Sequence, residues 1–95
     1  PYLRSFNLVA VEGRPIQYLV NVTSRTDRLV VTLCNNGPEA WEGRLRARAA
    51  RIRRAVDWMT GRKLPAGKDV HVEVPPLDVV VLELLLASPI FEVKG

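Results

Sequence analysis

The chemistry open to this chain rests on very few side chains. His71 is its only histidine and Cys34 its only cysteine, so a nucleophile and its base would have to come from these two or from scattered serines and carboxylates. His71 sits between Val70 and Val72 in an alternating run that aims it at solvent from a strand. Cys34 closes an apolar stretch, where a cysteine serves as a small buried hydrophobe more often than as a reactive thiolate. One cysteine makes no internal disulfide, and with one histidine it supplies no zinc set. Ten carboxylates are present, and cleavage of a glycosidic bond needs only two at a defined separation; Glu39 and Glu42, however, read as solvated surface. No glycine-rich phosphate loop opens a helix, and no acidic run has calcium-loop spacing. The residues therefore predict no catalytic group, no cofactor and no metal.

What remains are surfaces. Arg44, Arg46, Arg48, Arg51, Arg53 and Arg54 fall in a stretch from Gly43 to Val56 that holds no acidic residue. On one face they could neutralise several phosphates or meet an acidic partner. Nucleic-acid sheets also present aromatics for stacking, and none lies between Trp41 and Trp58, so nucleic acid is the alternative reading and a solvated or partner-docking face the first one. Trp41 and Trp58 could stack on a pyranose ring. Their phase, in step with Leu45 and Val56, assigns both to packing instead.

The elements that must position these groups are strands. Apolar runs recur between turn residues at intervals of about 8 to 12, the rhythm of a sandwich or barrel. Phe6 to Val11 and Ile16 to Thr23 flank a turn at Glu12-Gly13-Arg14-Pro15, and Leu29 to Cys34 is apolar enough to be buried and is stopped by Asn35-Asn36-Gly37-Pro38. Residues 41 to 49 alternate, with Trp41, Gly43, Leu45, Ala47 and Ala49 inward and Glu42, Arg44, Arg46 and Arg48 outward, although Leu45, Ala49, Ile52 and Val56 also fit a helix. The phase then changes, with Ala50, Ile52, Val56 and Trp58 inward, implying a turn or bulge near Ala49 to Arg51; Arg54 fits this second phase poorly unless it sits at an edge or marks the bulge itself. A hairpin at Thr60-Gly61, a turn at Pro65 to Lys68, the alternating strand Val70 to Val74 and the loop Pro75 to Asp78 follow. The last strand, Val79 to Leu86, is apolar on nearly both faces and must be central or covered.

The fold class is thus an all-β antiparallel sandwich of seven to eight short strands, immunoglobulin-like or similar, with residues 1–95 as one domain of 10.6 kDa. At 47% hydrophobic and 25% charged the composition is that of a chain with a real core. No apolar run approaches the roughly 20 residues of a membrane-spanning helix, so no membrane partner is expected. The excess of 14 basic over 10 acidic residues gives +4, which permits contact with polyanions without requiring it. A start at Pro1-Tyr2-Leu3-Arg4, without a leader pattern, suggests a piece of a longer multidomain protein.

One resemblance is carried by named segments: Leu29 to Asn36, Trp41-Glu42-Gly43, Asp57-Trp58 with Thr60-Gly61-Arg62 and Leu64, and Val72 to Leu84 with its Pro75-Pro76-Leu77-Asp78-Val79 core. Together they resemble the terminal β-sandwich domains that follow the catalytic barrel in many glycoside hydrolases. The Arg run and Leu77, where such domains often have a small residue, depart from that pattern. The resemblance implies a non-catalytic accessory domain of a carbohydrate-active enzyme. Its partner would be the catalytic domain of the parent chain, with polysaccharide as a second contact, and it transfers no catalytic residue.

Overall fold

The computed structural model describes residues 8–48 and 50–88. They form eight strands and, among the described residues, no α-helix. In chain order these are β1 (Val9–Gly13), β2 (Gln17–Val22), β3 (Arg28–Asn35), β4 (Trp41–Ala47), β5 (Ile52–Asp57), β6 (Lys63–Leu64), β7 (Val70–Val74) and β8 (Asp78–Leu86). A three-stranded sheet runs β1-β4-β7 and a five-stranded sheet runs β2-β3-β8-β5-β6. Every pairing is antiparallel. The architecture is the expected β-sandwich. Only the β2–β3 and β5–β6 connections stay within a sheet; the others pass from one sheet to the other.

The core is the set of inward-facing residues of both sheets. Val9, Leu45, Val70, Val72 and Val74 come from the smaller sheet and Leu29, Val31, Leu33, Ile52, Leu82, Leu84 and Leu86 from the larger. Burial alternates along β7 and β8, the period-two signature of strands with one face covered. β8 lies at the centre of its sheet, between β3 and β5, as its apolar character requires.

Several boundaries differ from the sequence reading. Glu12 and Gly13 do not turn: they extend β1 and pair with Arg44 and Gly43. Asn35 does not end β3 from outside but is its last residue, and is buried. The two N–H groups of its Nδ2 are shared among the carbonyls of Glu39 (2.8 Å), Val74 (3.1 Å) and Pro75 (3.2 Å), and its Oδ1 accepts from the Gly37 amide (3.0 Å). One side chain thereby ties the β3–β4 turn to the end of β7, and its bond to the Val74 carbonyl is a buried one. Residues 41 to 47 are a strand, with Trp41, Leu45 and Ala47 buried and Glu42 and Arg44 exposed; Ala49, like Tyr2, Phe6 and Asn7, falls outside the described residues.

The break in phase proves to be a bulge inside β5 rather than before it. Ile52 pairs with Leu86 and Arg54 already with Leu85, so Arg53 is the extra residue. That insertion explains why Arg54 fits the second phase poorly, and it turns Ala55 inward in place of Val56. Trp58, expected inside, is 56% exposed.

Candidate docking face

Strand parity settles where each singled-out residue points. Arg44 and Arg46 lie on β4, on the outer face of the three-stranded sheet, and each has an acidic neighbour: Asp69 at 3.8 Å for Arg44, Glu12 at 3.5 Å for Arg46. Arg48 and Arg51 flank the β4–β5 crossover, and Arg53 and Arg54 sit on the bulge of the other sheet. None of the last four has an ion-pair partner among the described residues. The structure gathers only part of the set: Arg46, Arg48 and Arg51 line one shallow depression with Lys68 at the β4–β5 crossover, while Arg53 and Arg54 sit on the other sheet.

The two tryptophans part company. Trp41 is 5% exposed and donates from Nε1 to the Arg14 carbonyl at 2.8 Å. Its ring lies against Gly43 so closely that a Cβ there would sit 2.4 Å from ring carbons; Gly13, opposite Gly43, is also in van der Waals range of the ring. No face of this indole is open to a sugar. Trp58 is open, because its amide donates to the Val81 carbonyl at 2.9 Å and continues the outward row of β5. Cys34, expected to be buried, is half-buried and pairs with Val79 on the outward side. His71 is exposed on β7, as alternation predicts. One group that could share a metal ion among the described residues, Glu42, His71 and Glu73, lies on the outer face of the smaller sheet.

A surface with no signature in the sequence is the outer face of the five-stranded sheet. Leu29 and Val31 belong to the core, so Val30 between them points away from it, as do Thr32 and Cys34. Register places beside them Leu19 on β2, Val79, Val81 and Leu85 on β8, and Val56 on β5. Leu19 is 66% exposed and Val79 41%, against 0% for the core residue Leu82 on the opposite side of β8. A shallow depression of about 520 Å³, lined by Ile16, Tyr18, Leu19, Thr32 and Cys34 among others, opens at this face. The other end of the face is charged: Arg28 pairs with Glu83 at 3.5 Å, and Arg54 and Lys63 stand nearby on β5 and β6. Apolar at one end and basic at the other, the face can take up a protein surface. Nothing among protein-family models, curated proteins or solved structures matches the chain.

Proposed function

We propose that this domain is a non-catalytic accessory module of a carbohydrate-active enzyme, a glycoside hydrolase, and that it docks on the catalytic domain of its parent chain through the outer face of the five-stranded sheet. The observation that carries the docking is the set Leu19, Val79 and Trp58, all exposed, with Val56 and Val81 half-buried beside them, apolar on a side with no second layer among the described residues. Contiguous exposed apolar surface of this kind marks interaction sites. The link to glycoside hydrolases rests on the segments that resemble their terminal sandwiches, each of which has a task here: Asn35 clamps a turn, Trp41 packs on Gly43, the Trp58 to Leu64 segment forms a hairpin, and Asp78 opens the central strand. These are tasks of the fold, so they support kinship of architecture, and the activity follows from the parent.

The test is made in the full-length parent chain. Val79→Asp, on an exposed residue, should leave the isolated domain's stability within about 0.5 kcal/mol, yet lower the denaturation temperature or solubility of the parent's catalytic domain. A parent chain with no glycosidase domain, or one indifferent to Val79→Asp and Val81→Asp, would overturn the reading. Glycan binding that Trp58→Ala removes without altering docking would assign that residue to polysaccharide.

A further inference from the structure

Glu42 on β4 and Glu73 on β7 are directly opposite each other in the ladder of the three-stranded sheet, and His71 stands two residues along β7 on the same face. Like charges placed opposite one another across strands destabilise a sheet, and elsewhere on this face the chain avoids that: Arg44 meets Asp69 and Arg46 meets Glu12. With eleven arginines and three lysines in the sequence, neither Glu42 nor Glu73 has one as an ion-pair partner among the described residues. Glu42 has only the imidazole, with Nε2 to Oε1 at 2.5 Å, and Glu73 has none. Two carboxylates and one imidazole thus face one another without an arginine or lysine paired to either carboxylate, although Arg44 stands opposite His71 in the ladder.

From this arrangement we propose that Glu42, His71 and Glu73 form a site for one divalent transition-metal ion of the zinc class. Ligand atoms on a zinc ion lie about 2.0–2.2 Å from it, hence at most about 4.4 Å apart. The three candidate atoms already lie within 4.8 Å of one another, so small rotations of exposed side chains close the set. Imidazole together with two carboxylates favours zinc, nickel or copper over calcium, which takes oxygen ligands. A depression of about 410 Å³ bordered by His71, Glu73, Asp69 and Arg62 leaves the remaining coordination positions to water or to an oxygen ligand. The spacing of the sequence hides the site, because its ligands come from two strands about thirty residues apart. It is independent of the docking face, which lies on the other sheet.

The experiment is calorimetric titration of the domain with zinc chloride alone, in a Cys34→Ser background that removes the thiol, together with NMR of the imidazole, whose signals need no assignment because His71 is the only histidine. We expect one equivalent bound with a dissociation constant on the order of micromolar, displaced His71 ring resonances, and no such change with calcium. His71→Ala, the closer mimic His71→Gln, and Glu73→Gln should each weaken binding at least about tenfold, one decade of the dissociation constant, with unchanged circular dichroism. Binding weaker than about millimolar, or binding that survives these substitutions, would falsify the site.

Discussion

At the residue scale, the fold depends on a few contacts that leave no slack. The Gly43 position cannot accept a methyl group, since a Cβ would lie 2.3 Å from the Glu12 carbonyl oxygen as well as 2.4 Å from the Trp41 ring. The obstruction is partly backbone of the neighbouring strand, which cannot rotate away. Gly43→Ala should therefore cost at least about 2 kcal/mol, read as a lowered denaturant midpoint. Trp41→Ala, which empties the same site and strands the Arg14 carbonyl, should cost about 3–5 kcal/mol. Trp58→Ser should change stability by less than about 1 kcal/mol, because more than half of that residue is in water. Equal losses from the two tryptophan variants would show that Trp58 is packed after all. The sequence could not separate the two, because alternation places Trp58 inward only in a regular β5, and the extra residue at Arg53 reverses every parity beyond it. Asn35 was legible as a turn former, but its buried clamp on Val74, 39 residues away, leaves no local trace.

At the element scale, strands with one covered face announced themselves and irregular ones did not. β7 reads buried, exposed, buried, exposed, buried, and its sequence says as much. β4 was ambiguous, since arginine and alanine suit a helix, and tertiary pairing with both β1 and β7 resolves it. That pairing fixes Leu45 in the core at 0% exposure, whereas Arg44 is exposed and Arg46 half-buried on the outer face. Leu45→Asp should unfold the domain: an unpaired carboxylate in that position costs several kcal/mol against a total of roughly 5 to 15. Changing Arg44, Arg46 and Arg48 together to Gln should leave the melting temperature nearly unchanged, because exposed ion pairs at 3.5 and 3.8 Å contribute about 0–1 kcal/mol each. A fall larger than that of a single core truncation would mean that the charge lattice on this face helps hold the sheet together.

At the scale of the whole molecule, the class of fold was legible and the division of strands was not. Turn spacing implies a sandwich, but which strands share a sheet depends on pairings such as Val9 with Ala47 and Asn35 with Asp78, which no short-range pattern encodes. The outer apolar face emerges only from that pairing. Val79 to Leu86 looked apolar on both sides, and the second side becomes a surface once β3, β8 and β5 are neighbours. The same division bears on the basic segment. A nucleic-acid groove needs its cations along one track, whereas here Arg44 and Arg46 belong to one sheet and Arg53 and Arg54 to the other. The domain should therefore bind single- or double-stranded oligonucleotides no more tightly than about micromolar at physiological salt, apart from the weak attraction of a +4 surface. A tighter complex would lose affinity with salt at a log–log slope of about 0.7 to 0.9 per phosphate contacted. Submicromolar binding abolished by the triple Arg44, Arg46, Arg48 to Gln variant would mean that one face suffices as the track, and would replace docking on a catalytic domain with nucleic-acid recognition as the function of the fold.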